Sequence, residues 1–399
     1  MDGHSLDLTN LAIVVAAAVL FGLAFIRAHL PSMVGFIVAG VMLGPTGLGL
    51  VSNSQSVGAL AELGVLMLLF IAGLELSVPS FVRVLRPAAI AVVVQTLGAL
   101  SLAFAMSGIF GWDWRACILF GFIITMSSTA VAIRIITELK ETKSAIGELT
   151  VGLMIAQDIA VVPMLIFVES LEQETIAIAP MLIRLTVALG ILAFVLYFFR
   201  AGREMNAPFS ERLRGRDDLV ALLALAACFA TASLGGVLDL SPAYGAFVAG
   251  LVVGNTNLQS ETMRVVTPIQ SLLLVVFFLS VGLLIDLRYI ADNAILVLGA
   301  AFGIILFKTG LNLISLRLAG VETARASQVG LATAQIGEFS FILAAAGLSA
   351  SVLDDDRYRF AITVIAATLV VSPIWMIIAR RIHDRALASL PIFQNNETN

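Results

Sequence analysis

Long apolar segments separated by short polar breaks recur along the chain from Leu11 to Ile378. A helix that crosses the hydrocarbon core of a bilayer needs about 20 predominantly apolar residues, and most of these segments are close to that length or longer. The pattern therefore predicts an all-α polytopic membrane protein. The thirteen predicted spans, numbered in chain order, cover residues 8–27, 31–44, 59–77, 86–109, 114–138, 147–170, 178–200, 217–234, 237–255, 265–284, 291–318, 322–348 and 358–380.

The composition agrees with a membrane protein and argues against a soluble enzyme. Of the 399 residues, 60% are hydrophobic and 13% are charged, whereas soluble domains average about 45–50% and about 25%. The net charge of −4 gives no reason to expect nucleic acid as a partner, so the partner that composition predicts is the lipid bilayer. We expect no cofactor, because the few cysteines and histidines lack metal-ligand spacing: Cys117, Cys228, His4, His29 and His383.

The basic residues predict how the spans are oriented. With the N-terminus outside and the C-terminus in the cytoplasm, seventeen of the 23 lysines and arginines fall on cytoplasmic loops and five on the opposite side. Lys308 is left over inside span 11. Because lysine and arginine concentrate on cytoplasmic loops, this orientation is the expected one, and the localisation is a cell (inner) membrane.

Two stretches of the chain repeat one motif. Residues 35–46 read GFIVAGVMLGPT and residues 245–256 read GAFVAGLVVGNT, with six of twelve positions identical. The following spans also align, LLFIAGL at 68–74 with FFLSVGL at 277–283. The alternative is chance recurrence of small apolar residues. The offset is seven spans, an odd number, so the two copies would cross the membrane in opposite directions, as in many secondary transporters. We expect repeat 1 at about 8–170, a linker helix at 178–200, repeat 2 at about 217–380 and a short cytoplasmic tail at 381–399.

Asp158 lies in the middle of span 6, in the run GLMIAQDIAVVPML. An ionisable side chain at this depth is costly and usually functional. Burial disfavours the charged form of a carboxylate, so a proton and a cation would compete for it, and that competition is the basis of antiport. The alternative is a buried aspartate that is merely hydrogen-bonded within the helix bundle.

Two further charges lie inside predicted spans. Lys308, in span 11, could neutralise nearby carboxylates, and the alternative is a lysine that snorkels to the membrane surface. Glu338 follows Gly337 in span 12, and the polar run 125–129 takes the corresponding position in span 5. Serine and threonine clusters with a nearby glycine suit an interrupted membrane helix, because their hydroxyls can satisfy its freed backbone groups. We therefore expect interruptions in spans 5 and 12, with Glu338 balancing positive helix ends. An ordinary packing cluster is the alternative.

At these residues the chain resembles the Kef-type branch of the monovalent cation:proton antiporter-2 family. The resemblance implies the bacterial sodium/proton antiporter fold, with a core domain that holds crossed, interrupted spans 5 and 12 and with a separate dimerisation domain. It also implies homodimers that work by an elevator movement. The matching stretches run through nearly the whole chain: GFIVAGVMLGPTGLGLV (35–51), AELGVLMLLFIAGLEL (61–76), SSTAVAI (127–133), AQDIAVVP (156–163), GAFVAGLVVGNT (245–256), FFLSVGLLIDL (277–287) and QIGEFSFIL (335–343).

The resemblance also implies roles for individual residues. Asp158 matches the cation- and proton-binding aspartate of the family, and Gln157 stands where sodium-selective relatives often have a second aspartate, which favours potassium. Ser128 and Thr129 match the family's span 5 interruption, and we expect them and Gln157 to bind the ion together with Asp158. Gln335 and Glu338 match the span 12 interruption and Lys308 matches the family's span 11 lysine, and we expect these three residues to support the site and compensate its charges. Kef proteins carry a nucleotide-binding domain after the membrane part, and this chain has no GxGxxG motif following a strand. Regulation by nucleotide is therefore expected only if a separate cytoplasmic subunit supplies such a domain or if the sequence is truncated.

These observations predict a secondary active antiporter, not an enzyme, which exchanges K⁺ for H⁺ electroneutrally by alternating access. Na⁺/H⁺ exchange is the nearest alternative. A ligand-gated K⁺ efflux channel would need a selectivity filter, and no TVGYG-like run is present. An intramembrane aspartyl protease would need a second deep aspartate beside Asp158. A symporter of the same fold that carries an organic anion stays open, because helix N-termini bind carboxylates.

Overall fold

The computed structural model describes residues 8–28, 32–51, 55–76, 78–138, 141, 144–171, 178–200, 205, 211, 215–238 and 240–388. Within these ranges the regular structure is helical, apart from one isolated bridge between Met205 and Thr256. The helices are α1 (Leu8–Arg27), α2 (Ser32–Leu43), α3 (Gln55–Glu75), α4 (Val78–Phe110), α5 (Trp114–Thr125), α6 (Thr129–Glu138), α7 (Ala145–Glu169), α8 (Ile178–Phe199), α9 (Asp217–Val237), α10 (Pro242–Gly254), α11 (Gln259–Leu284), α12 (Leu287–Asp292), α13 (Ala294–Leu318), α14 (Thr323–Ala332), α15 (Phe339–Ser349) and α16 (Asp355–Ala388).

Several helices extend beyond the apolar runs that predict them. Helix α4 begins at Val78 rather than at residue 86, and α11 begins at Gln259 rather than at residue 265. Helix α16 continues to Ala388, so the first part of the predicted tail is helical. The reason is that hydropathy marks the part of a helix that lies in hydrocarbon, whereas backbone hydrogen bonding continues into polar residues beyond it.

Two predicted spans are each divided into two helices. Span 5 becomes α5 and α6, with extended backbone at Met126 (φ −66°, ψ 138°) between them. Span 12 becomes α14 and α15, with residues 333–338 non-helical. Among the described residues, six helices are long and apolar enough to cross a bilayer, and α5 and α15 belong to a group of shorter apolar helices. Thirteen complete crossings therefore stay a prediction.

The helices pack in two groups. One group contains α1, α2, α3, α9, α10 and α11, and the other contains α4 to α7 and α13 to α16. Helix α8 contacts α4 and α7 on one side and α10 on the other, and α16 touches α2. The linker predicted at 178–200 therefore lies against both groups, and both interrupted spans belong to the second group.

Glycines allow the closest helix contacts in the first group. A Cβ atom added at Gly40 of α2 would overlap the carbonyl oxygen of Leu279 in α11, and one added at Gly250 of α10 would overlap that of Phe70 in α3. Gly40 and Gly250 hold the same position in the repeated motif, and Leu279 and Phe70 hold equivalent positions in the following aligned stretch. The two copies of the motif therefore make the same backbone-to-backbone contact.

Candidate functional site

The interruptions of the two divided spans touch each other. The Gly337 N–H donates to the Met126 carbonyl oxygen at 3.2 Å, and Ser127 Oγ donates to the Thr333 carbonyl oxygen at 2.8 Å. Ser340 Oγ, in the first turn of α15, donates to the carbonyl oxygen of Ile123 in α5 at 2.8 Å. Carbonyl and amide groups that the breaks release from helical hydrogen bonding are thus satisfied across the contact, as a membrane interior requires. We call this contact the crossing.

Lys308 of α13 is buried at the crossing, with 1% of its surface exposed. Its Nζ donates to Thr125 O at 3.3 Å, Met126 O at 2.6 Å and Ser127 Oγ at 3.1 Å. These acceptors match the three N–H donors of an ammonium group, and the carbonyls lie at the negative C-terminal end of α5. The side chain does not snorkel, and it makes no ion pair with a carboxylate in the part of the chain that the structure describes. Lys308 therefore acts on the half-helix end directly.

Asn312 lies one turn after Lys308 on α13 and serves the other half-helix. Its Nδ2 is 3.0 Å from Thr333 O, 2.9 Å from Thr333 Oγ1 and 3.4 Å from Gly330 O. These groups belong to the C-terminal end of α14, so one face of α13 provides donors for the negative ends of both α5 and α14. Sequence reasoning missed Asn312. The sequence feature that could have identified it is an amide four residues after the lysine of span 11, because this spacing places both side chains on one helix face.

A chain of buried amides connects the two interruptions through α4 and α7. The Ser127 N–H donates to Gln157 Oε1 at 3.0 Å, and Gln157 Nε2 donates to Gln95 Oε1 at 2.9 Å and to Thr125 O at 3.2 Å. Gln95 Nε2 then donates to Asn312 Oδ1 at 3.0 Å. Both N–H donors of Gln157 are thus used, which gives this side chain a positioning role. Gln95 was also missed, although it is a lone amide in the run AVVVQTLGAL.

Replacing Gln95 with leucine should destabilise the protein markedly. The change would leave Gln157 Nε2 and Asn312 Oδ1 with fewer partners in a buried site, at a cost of about 1–3 kcal/mol for each unsatisfied group. Thermal unfolding of the purified protein in detergent measures the loss. Thr96→Val is the matched control, because the hydrogen bond of the Thr96 hydroxyl in the described structure goes to Val92 O in its own helix. Equal unfolding temperatures for the two variants would contradict the role given to the amide chain.

Asp158 follows Gln157 on α7 but points to different surroundings. Gln157 is buried, whereas Asp158 is partly exposed on the protein surface. The carboxylate forms no hydrogen bond or ion pair with the described residues, and the charges with which it interacts electrostatically are Glu338 and Glu75. Glu75 ends α3, so Asp158 lies where the second packing group faces the first. A partner-free carboxylate beside a broken-helix crossing can hold a cation or a proton.

The remaining predicted site residues lie around Ser128, in the break that precedes α6. The Ser128 hydroxyl accepts the Val131 N–H at 3.3 Å and interacts with the Glu338 carboxylate. Gln335 Nε2 donates to Ser128 O at 3.3 Å, and Thr129 begins α6. The structure thus brings six of the seven predicted residues to the crossing and puts the seventh, Asp158, in electrostatic contact with it. In the described chain, no group of three or more histidines, cysteines or acidic residues has the geometry of a metal centre.

Comparison with known proteins identifies related membrane transporters. The profile of the family described as "Sodium/hydrogen exchanger, transmembrane" matches residues 13–378. The iron transporter MagA of Paramagnetospirillum magneticum is 41% identical over 99% of this chain and 91% of its own length. The K(+) efflux antiporter 4 of Arabidopsis thaliana is 30% identical over 92% of this chain but only 63% of its own length. This chain therefore spans less than two thirds of the plant protein.

A solved structure has the same fold at low sequence identity. The sodium proton antiporter MjNhaP1 of Methanocaldococcus jannaschii superposes with a TM-score of 0.71, over 92% of this chain and 95% of that chain, at 16% identity. At this identity the likeness concerns the fold alone, and it supports the antiporter fold that the sequence predicts.

Proposed function

Because this chain belongs to the sodium/hydrogen exchanger family of cation/proton antiporters, we propose that it exchanges an alkali-metal cation for a proton, with K⁺ favoured over Na⁺. The observation that carries the proposal is the carboxylate of Asp158, which is free of partners among the described residues and lies beside the crossing. A carboxylate at this position in a membrane helix carries either a metal ion or a proton, because its bare charge is costly there. Binding of one ion therefore expels the other.

The crossing prepares this site by removing competing interactions. Lys308 and Asn312 occupy the carbonyl groups at the negative ends of α5 and α14, so those carbonyls do not compete with Asp158 for the cation. The amide of Gln157 holds Ser127 in place. We expect Ser128 and Thr129 to complete the binding site, and we assign Gln157 to positioning rather than to coordination.

One exchanging carboxylate implies electroneutral 1:1 exchange if Lys308 keeps its proton. The three acceptors around Nζ are suited to an ammonium group and would be poorly satisfied by a neutral amine, which has one N–H fewer. The charge of Lys308 then stays constant, and only the occupancy of Asp158 changes through the cycle. The family is one of transporters, so we propose no enzymatic activity and no cofactor.

The packing supports an alternating-access architecture. We propose that α4–α7 and α13–α16 form the moving core and that the group containing α1–α3 and α9–α11 forms the dimerisation domain of a homodimer. The equivalent contacts of Gly40 and Gly250 support two inverted repeats joined by α8. Thirteen crossings, with the N-terminus outside and the C-terminus in the cytoplasm, and regulation by a separate cytoplasmic subunit belong to the same proposal.

Cation titration in proteoliposomes tests the function. With an acid interior and a pH-sensitive dye, adding K⁺ or Na⁺ outside should drive proton efflux, with K⁺ acting at the lower concentration. When one proton competes with one cation for the same carboxylate and the carboxylate is mostly protonated, the apparent cation affinity should fall about tenfold for each unit by which pH is lowered. Fe²⁺ is the third arm, since a relative is named an iron transporter. Proton efflux driven by Fe²⁺ but by neither alkali cation would overturn the proposal.

A further inference from the structure

Three buried oxygen atoms at the crossing form no hydrogen bond with any described residue. They are Thr129 Oγ1, Gln335 Oε1 and Glu338 Oε2. A fourth such atom, Ser241 Oγ, lies apart, immediately before α10. Buried polar atoms in native proteins nearly always have partners, and an unpaired one in an apolar medium is costly. Three unpaired oxygens at one crossing indicate a ligand that supplies positive charge or donors.

The three oxygens share Ser128 as a neighbour. Thr129 follows it in the chain, Gln335 donates to its carbonyl oxygen at 3.3 Å, and the Glu338 carboxylate interacts with its side chain. Gln335 Nε2 also donates to Ala332 O at 3.2 Å. Both N–H groups of this amide are therefore engaged, which leaves the oxygen as its free atom. Gln335 is fully buried, and Glu338 is 8% exposed.

A hydroxyl, an amide oxygen and a carboxylate oxygen are hard donors of the kind that bind alkali and other hard cations. Glu338 also interacts electrostatically with Asp158, so a cation held by one carboxylate is attracted by the other. We propose that Glu338, Gln335 and Thr129 are direct ligands of the alkali-metal cation bound at Asp158. Sequence reasoning gave Glu338 and Gln335 only charge-compensating roles. The inference rests on the proposed function and adds ligands to the same site.

A proton on Glu338 offers a different explanation. A protonated carboxyl that donates to Gln335 Oε1 would satisfy two of the three atoms without a cation. A glutamine at position 338 could donate in the same way, so under that explanation Glu338→Gln would preserve cation affinity. If Glu338 is a ligand, the same substitution removes a negative oxygen from the coordination sphere and weakens binding. The two explanations thus predict opposite results for one variant.

Equilibrium binding of ⁸⁶Rb⁺ to the purified protein, with K⁺ and Na⁺ as competitors, measures the ligand role without transport. We expect Glu338→Gln to lower Rb⁺ affinity about tenfold or more. Thr129→Val should lower it several-fold, and Thr129→Ser, which keeps the hydroxyl, should retain it. The Thr129 hydroxyl has no partner in the described structure, so its replacement by an isosteric methyl breaks no hydrogen bond. A purely structural role therefore predicts no change in affinity.

Glu75→Gln is the control for charge alone. Glu75 is exposed at the end of α3 and interacts with Asp158 electrostatically, so its loss should leave Rb⁺ affinity within about threefold. Wild-type affinity in both Glu338→Gln and Thr129→Val would overturn the ligand assignment. If Glu338→Gln fails to fold, the difference in Rb⁺ affinity between Thr129→Val and Thr129→Ser tests the ligand assignment. Full binding by Asp158→Asn would instead overturn the proposed function, so the two failures are distinguishable.

Discussion

Replacing Asp158 with asparagine is expected to reduce cation/proton exchange to the level of empty liposomes. The amide has the shape of the carboxylate, but it neither carries a negative charge nor exchanges a proton near neutral pH, so the site loses the group for which the cation and the proton compete. Dequenching of a pH-sensitive dye on addition of K⁺ or Na⁺ provides the measurement. The folded state should be retained or made more stable, because the carboxylate forms no hydrogen bond with the described residues and the substitution removes a costly intramembrane charge.

Glu148→Gln is the matched control for Asp158→Asn. Glu148 lies on the same helix, α7, in its first turn, and it is exposed. Its loss should leave exchange near the wild-type rate, so a fall specific to position 158 would identify the carboxylate rather than any acidic side chain of α7. An Asp158→Asn protein that unfolds at the wild-type temperature and still exchanges K⁺ for H⁺ at the wild-type rate would refute the site.

The charged residues of the candidate site could be predicted from the sequence, because charge inside an apolar run is rare and costly. Asp158, Lys308 and Glu338 each stand out for this reason, and the polar clusters beside them indicated where the two spans divide. Gln95 and Asn312 did not stand out, since a neutral amide in a membrane helix is less costly. Their mutual hydrogen bond joins residues 217 positions apart, a distance at which sequence pattern carries no information about contact.

Orientation around a helix also escaped the sequence. Gln157 and Asp158 are neighbours, and the sequence suggested two ion-binding groups side by side. Successive residues of an α-helix point about 100° apart. In the structure this rotation buries Gln157 against Gln95 and Ser127 and leaves Asp158 partly exposed towards Glu75 and Glu338. Which of the two joins the buried chain of amides depends on the packing of α7 against α4, and a largely apolar helix surface does not specify that rotation.

Replacing Gly337 with alanine should disrupt the crossing itself. A Cβ atom at this position would overlap the carbonyl oxygen and carbon of Ser127 and approach the nitrogen of Ser128 to 2.7 Å. These are backbone atoms and do not move aside as the tip of a side chain does. Overpacking of this kind costs about 1–3 kcal/mol. Separating the two breaks would also weaken the hydrogen bonds from Gly337 N to Met126 O and from Ser127 Oγ to Thr333 O, at a cost of about 0.5–1.5 kcal/mol each.

We therefore expect Gly337→Ala to lower the unfolding temperature in detergent and, in the protein that remains folded, to weaken Rb⁺ binding, because the oxygens of Ser128 and Thr129 move with the displaced backbone. Gly310→Ala provides the comparison. Gly310 lies inside α13 with no atom within 4 Å of an added Cβ, and alanine favours a helix interior over glycine by about 0.5–1 kcal/mol. The same glycine-to-alanine change should thus stabilise one site and destabilise the other. Unchanged unfolding and unchanged Rb⁺ affinity in Gly337→Ala would mean that the two breaks do not need this close approach to bind the cation.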